Sequence, residues 1–181
     1  MYTTGMRFVI PEVVVSHFHL RLGDQVADFG AGSGFFLAAL SEAVGPTGRV
    51  YACDIQKNLV EKMGALVQSR GLQNVDTLWG DIEVAHKTKI PTGELDAALL
   101  VNTLFQIEAT PIAVSELGRT LRSGGKLFII DWTDTVPGLG PAPDKLITAD
   151  DCIVLFESNG FILEREFPAG EHHYGLAFRK I

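Results

Sequence analysis

The 181-residue sequence is 46% apolar and 20% charged, a balance that supports one well-packed domain over residues 1–181 and excludes a disordered chain. Its 15 Lys and Arg against 22 Asp and Glu leave a net charge of −7, whose field repels a phosphate backbone and disfavours nucleic-acid partners. The opening MYTTGMRFVIPEVVV lacks the basic-then-apolar order of a signal peptide and no apolar run reaches the length of a bilayer span, so a cytoplasmic protein without membrane insertion is expected.

In chain order, Pro11 followed by EVVVSHFHL reads as a short helix, because proline is tolerated in a first turn and the apolar residues recur on one face. It belongs to an expected helical cap over residues 1–22 that packs on the sheet edge or covers a ligand. QVADF is a compact run of strand type, and FFLAALSEAV beyond three glycines has helical spacing that ends at Gly45-Pro46. RVYACD (49–54) reads as a strand, KNLVEKMGALVQSR (57–70) as a helix stopped by Gly71, and VDTLW (75–79) as the next strand. After a polar segment, LDAALLV (95–101) is apolar nearly throughout, as a strand covered on both faces must be. ATPIAVSELGRTLR (109–122) then forms a helix ending near Ser123-Gly124-Gly125, and KLFIID (126–131) a fifth strand. A proline-rich loop over 132–147, read as a possible lid, precedes a helix opened by Thr148 with Asp150 and Asp151 in its first turn. FILEREF (161–167) and HYGLAFRK (173–180) lie too close together for a crossover helix, so they form an antiparallel hairpin. Alternating strands and helices with right-handed crossovers give a doubly wound, Rossmann-like α/β fold. It is a three-layer α/β/α sandwich with a seven-stranded, mostly parallel sheet and a reversed strand in its terminal hairpin. Cys53 and Cys152 sit in apolar runs without metal-ligand spacing and read as buried, reduced thiols.

Ligands of such sheets sit beyond the carboxyl ends of the strands, and VADFGAGSG places Gly30, Gly32 and Gly34 there. Glycines let a ligand approach the main chain with no Cβ in the way, while the helix expected to start near Gly34 offers free N–H groups. The spacing is GxGxG, with Phe35 where the dinucleotide fingerprint GxGxxG needs glycine, so a pyrophosphate is a poorer fit. Asp54 closes the second strand, where a carboxylate accepts hydrogen bonds from ribose hydroxyls. Asp81, in WGDIE, follows the third and suits an exocyclic amine such as that of adenine, with Ile55 and Ile82 against the ring faces. Together with Asp28 these acids favour a cationic nucleoside over an anionic one.

On VADFGAGSG, YACDI, WGDI, LRSGGKLFIIDW and the terminal hairpin, the chain resembles the class I S-adenosylmethionine-dependent methyltransferases, more narrowly the small domains of the ubiquinone/menaquinone-biosynthesis type. The resemblance covers nearly the whole sequence. It implies S-adenosyl-L-methionine as cofactor, with Gly30, Gly32 and Gly34 under its methionine and ribose part and Asp28 organising the loop. It further implies Asp54 on the ribose hydroxyls, Asp81 on the adenine amine and Asn102 near the methionine moiety. The absence of an NPPY or DPPY run after Asn102 counts against methylation of base amines.

Methyl transfer from a sulfonium is an in-line displacement that needs alignment and water exclusion, and a base only where the acceptor must lose a proton. The turn GEHHY (170–174) is expected on the same edge as the glycine loop, which makes His172, His173 and Tyr174 candidate catalytic residues. Solvated histidines and a sheet-packed tyrosine are the other reading of that turn. Asp131 either touches substrate or organises a loop, and Phe105 and Trp132 are candidate walls of the acceptor pocket. A small-molecule methyltransferase is the leading expectation. An RNA methyltransferase, a cofactor-binding scaffold without transfer activity and an NAD-linked oxidoreductase are the alternatives.

Overall fold

The computed structural model describes residues 9–136 and 140–181. Residues 1–8 of the expected cap and 137–139 of the expected lid lie outside that range. The elements run α1 (Pro11–Ser16), β1 (Gln25–Phe29), α2 (Leu37–Val44), β2 (Arg49–Asp54), α3 (Lys57–Arg70), β3 (Val75–Trp79), β4 (Leu95–Val101), α4 (Thr110–Thr120), β5 (Leu121–Trp132), α5 (Ala149–Glu157), β6 (Phe161–Pro168) and β7 (His173–Lys180). The seven-stranded sheet has the order β3-β2-β1-β4-β5-β7-β6. β1 to β5 are mutually parallel, and β7 is antiparallel to both β5 and β6.

The order reverses between β1 and β4, so right-handed crossovers place α2 and α3 on one face of the sheet and α4 and α5 on the other. One core joins Leu37 and Leu40 of α2, Met63 of α3 and Val14 of α1 to the sheet; the other joins Val114 and Leu117 of α4 and Phe156 of α5. β4 and the second half of β5 are buried on both faces, which explains their unbroken apolar sequences.

Three elements depart from the sequence reading. α1 ends at Ser16, and His19, expected inside it, has φ 51, a left-handed conformation no helix continues through. α2 begins at Leu37 because residues 31–36 form successive turns, so no helix starts at Gly34. β5 begins five residues before Lys126: Leu121 pairs with Leu95 and the register then shifts before Ala97 meets Lys126. The Ser123-Gly124-Gly125 stretch is therefore an irregularity within a strand, with Gly124 at φ 74.

The polar segment between β3 and β4 is anchored by one buried carboxylate. Glu116 on α4 accepts from the Thr88 hydroxyl at 2.7 Å, the His86 N–H at 3.0 Å and the Arg119 guanidinium at 2.7 and 2.8 Å. Arg119 also donates to the Ile90 carbonyl at 2.8 Å. Burial on its own would raise the Glu116 pKa, but the bonds from Arg119, Thr88 and His86 outweigh it and hold the group at about 2. Glu116→Gln is expected to cost roughly 2–4 kcal/mol of stability at pH 7. Because the folded-state value lies below the ordinary 4.5, the contribution is complete above that pH and is lost as pH falls towards about 2. Urea titrations at pH 7 and pH 3 check this: the gap between wild type and variant must narrow at the lower pH.

Candidate functional site

β1, β2, β3 and β4 all point their carboxyl ends to one edge, and there the chain builds a cleft. The Gly30 and Ala31 N–H groups donate to the Cys53 carbonyl at 2.8 and 3.1 Å, which fastens the glycine loop to the end of β2. Gly30 has φ 73, and a Cβ on it would stand 2.5 Å from the Thr103 hydroxyl, so only glycine allows the loop after β4 to come this close. Gly32 has φ 57, and nothing lies nearer to its Cβ position than the Gly30 carbonyl at 3.9 Å. Its bare main chain faces space. Gly34 packs against Leu37 and Leu66.

Asp54, buried at the end of β2, ties two loops together. One oxygen accepts from the Gly32 N–H at 3.0 Å and the other from the Gln56 N–H at 2.8 Å. Asp81 accepts from the Glu83 N–H at 2.8 Å, and Glu83 in turn accepts from the Glu108 N–H at 2.8 Å and from Ala109, at the start of α4. The resulting cavity, about 530 Å³, lies in the size range of small-ligand sites.

Gly30, Gly32, Asp54, Ile55, Asp81, Ile82 and Asn102 all line it. Two further residues singled out from sequence do not: Gly34 sits against α3, and Asp28 is buried in β1. Burial, reinforced by the neighbouring Asp54 charge, pushes the Asp28 carboxyl up to about 7. Sequence reasoning missed Gln56, Leu59, Glu83, Thr103 and the stretch Gln106–Glu108, which close the cavity's other walls. The lining role of Thr103 and Gln106–Glu108 depends on a 3-10 turn, Leu104–Gln106, and no pattern in the sequence marks it as facing the glycines.

A second cavity, about 280 Å³, adjoins the first at Val101 and Asn102. Its other walls are Val9, Phe35, Phe36, Trp132 and His173. Asn102 has φ 51, and its Oδ1 is buried without a hydrogen-bond partner among the described residues. Trp132 is a wall as expected, whereas Phe105 lines neither cavity. Asp131 organises the loop: it accepts from the Leu104 N–H at 3.1 Å and the Trp132 N–H at 2.9 Å. Burial outweighs those bonds and lifts its pKa to about 6.

The structure separates the three residues of the hairpin turn. His173 faces the second cavity, its Nδ1 2.9 Å from the Glu171 carbonyl. His172, with φ 64, is partly exposed, and its Nδ1 lies 2.8 Å from the Asp134 carboxylate. Tyr174 alternates to the opposite face of the sheet and joins the core of α4 and α5. Burial drives its hydroxyl pKa far up, so it stays neutral. Cys53 and Cys152 are free and buried, and burial pushes each thiol up to about 12. Among the described residues, no helix is long and apolar enough to cross a membrane.

A family model described as a methyltransferase domain matches residues 27–129. An uncharacterized 37.1 kDa protein in transposon TN4556 of Streptomyces fradiae is 32% identical over 132 residues, which are 72% of this chain and 37% of that protein. The ubiquinone/menaquinone biosynthesis C-methyltransferase UbiE of Pseudomonas putida is 28% identical over 115 residues, 63% of this chain and 44% of the enzyme. The chain thus spans less than half the length of these curated relatives. The crystal structure of a SAM-dependent methyltransferase from Aquifex aeolicus superimposes with a TM-score of 0.87 at 28% identity, covering 96% of this chain and 91% of that one.

The raised Asp28 pKa carries a prediction of its own. Between the ordinary 3.8 and about 7 the folded chain holds a proton that the unfolded chain releases, so stability falls as pH rises through that window. Asp28→Asn is therefore expected to stabilise the ligand-free protein at pH 8 by roughly 2–4 kcal/mol, with the gain fading towards pH 4. Thermal unfolding at both pH values measures it; an equal gain at pH 4 and pH 8 contradicts the assignment.

Proposed function

The chain belongs to the methyltransferase-domain family, and from that premise we propose that it is an S-adenosylmethionine-dependent methyltransferase acting on a small-molecule acceptor. The observation that carries this reading is the shared wall at Val101 and Asn102, where a cleft lined by glycine main chain and carboxylates adjoins an apolar cavity. The residues present fit the cofactor. A Cβ at Gly32 would enter open space, so its absence leaves room for a ligand against the main chain. Each Asp54 oxygen, already holding one backbone N–H, keeps a lone pair for a ribose hydroxyl.

In this reading Gly30 and Gly32 carry the methionine and ribose part, and Asp54 fixes the ribose. Asp81 accepts from the adenine amine, and Ile55 and Ile82 cover the ring faces. Asn102 stands beside the methionine moiety, while Gly34 and Asp28 act from behind, one seating the loop on α3 and the other organising the loop from within β1. When bound, the cofactor supplies an electrophilic methyl on a sulfonium sulfur that retains the bonding pair as the methyl leaves. The walls around the second cavity exclude water from the acceptor and align it. A small acceptor is favoured over RNA by the size and apolar walls of that cavity and by the net charge of −7. The name of the Pseudomonas relative, a quinone-pathway C-methyltransferase, agrees with an apolar acceptor.

Calorimetric titration with S-adenosylmethionine, S-adenosylhomocysteine and NAD tests the cofactor assignment: the first two should bind and NAD should not, and the reverse result would overturn it. Asp54→Ala is expected to weaken cofactor binding by roughly 1–3 kcal/mol through loss of charge-assisted hydrogen bonds. Gly32→Ala should cost the fold only about 1–2 kcal/mol for a left-handed alanine, yet lose most cofactor affinity to the intruding methyl. Thermal unfolding set beside the same titrations separates those two effects.

A further inference from the structure

The walls of the second cavity are carbon at Val9, Phe35, Phe36, Val101 and Trp132, and its polar side chains are Asn102 and His173. His173 is 8% exposed, and its ring lies 4.3 Å from that of Trp132, centroid to centroid. Its Nδ1 is 2.9 Å from the Glu171 carbonyl oxygen. A carbonyl can only accept, so Nδ1 carries the hydrogen, and in the neutral imidazole Nε2 is then a bare lone pair. Burial lowers the His173 pKa, and repulsion from His172 adds to that; the bond to Glu171 and the Asp134 carboxylate act the other way without reversing it. The ring is neutral at pH 7. Nε2 is buried and has no hydrogen-bond partner among the described residues, and the same is true of Asn102 Oδ1 at the junction of the two cavities.

A buried acceptor left unmet is unfavourable, and a ligand recovers that loss only by bringing a donor. An anion presents further lone pairs to the same atoms and is repelled. A full positive charge would have to be stripped of water among the rings. We propose that the acceptor is an uncharged, largely apolar molecule that donates a hydrogen bond from a hydroxyl or N–H to Nε2 of His173, and that His173 accepts this proton during transfer. The acceptor's O–H or N–H bond breaks, the proton forms an N–H bond on Nε2, and the electron pair stays on the acceptor, making that atom or a carbon conjugated to it nucleophilic. The imidazolium returns its proton to water after the product leaves. This assignment rests on the methyltransferase reading and names the acceptor class for it.

Three two-ring probes test it on the whole chain saturated with S-adenosylhomocysteine, with binding followed by NMR. 2-Naphthol is expected to bind roughly tenfold more tightly than naphthalene, the worth of one buried hydrogen bond, and 2-naphthoate more weakly than either. In His173→Phe the advantage of naphthol over naphthalene should vanish while S-adenosylhomocysteine binds as before. Nitrogen-15 spectra of the wild type provide a readout that does not depend on the variant folding. They should show His173 protonated at Nδ1 and bare at Nε2, with the Nε2 resonance moving when naphthol is added. A wild type that binds S-adenosylhomocysteine but does not prefer naphthol, a preference that survives His173→Phe, or an Nε2–H tautomer overturns the role of His173. A wild type that fails to bind S-adenosylhomocysteine overturns instead the cofactor reading beneath it.

Discussion

The carboxylate of Asp54, clasped by the N–H groups of Gly32 and Gln56, couples the loop after β1 to the loop after β2. Parallel pairing of the two strands brings these loops side by side, but pairing ends at Phe29 opposite Cys53. Beyond that point the Gly30 and Ala31 N–H bonds to the Cys53 carbonyl carry the loop one step further, and past them the Asp54 side chain holds the geometry. The clasp keeps the Gly32 main chain beside the ends of β2 and β4, and the cleft takes its shape from that spacing. It also sets a charge next to Asp28, which lies buried one strand over. Two acids so placed are uncomfortable in an empty cleft, and a cation there relieves both. The same arrangement that weakens the ligand-free fold therefore selects the ligand's sign.

Much of this architecture was legible in the sequence, and each exception has a physical cause. β1, β2, β3, β4 and α3 lie where their patterns put them, because two-sided burial and a glycine stop at Gly71 leave strong local signals. Of the misplaced boundaries, those of α1 and α2 were set by the left-handed His19 and by the turns ahead of Leu37, and that of β5 by a tertiary contact. Gly124-Gly125 reads locally as a turn, yet pairing of Leu121 with Leu95 carries the strand back past it. Glycines and acids following strands marked out most of the cleft, since each stands at a strand end that the topology collects on one edge. Glu83 and Gln106–Glu108 left no such mark: their approach depends on a carboxylate capping α4 from another loop. Phe35, read only as a departure from the dinucleotide spacing, is a wall of the second cavity.

His173 and Tyr174 show why proximity in sequence says little on a strand. They are adjacent, and the alternation of side chains sends one to the ligand edge and the other into the packing under α5. The pairing Trp132 to His173 then stacks the histidine beside an indole. Neutral chemistry at that ring follows from enclosure.

Because β7 runs back between β5 and β6, the functional edge receives a tight reversal in place of a long crossover. Residues 169–172 belong to no rung of the sheet. Yet the reversal is held at both ends, since Ala169 is buried in the core and the His172 carbonyl accepts from the Thr133 N–H at 2.8 Å, so the imidazole beside it is aimed by the sheet. Under the proposed reading, a new acceptor would therefore come from exchanging side chains on the cavity wall, while the length of this bend stays tied to the scaffold.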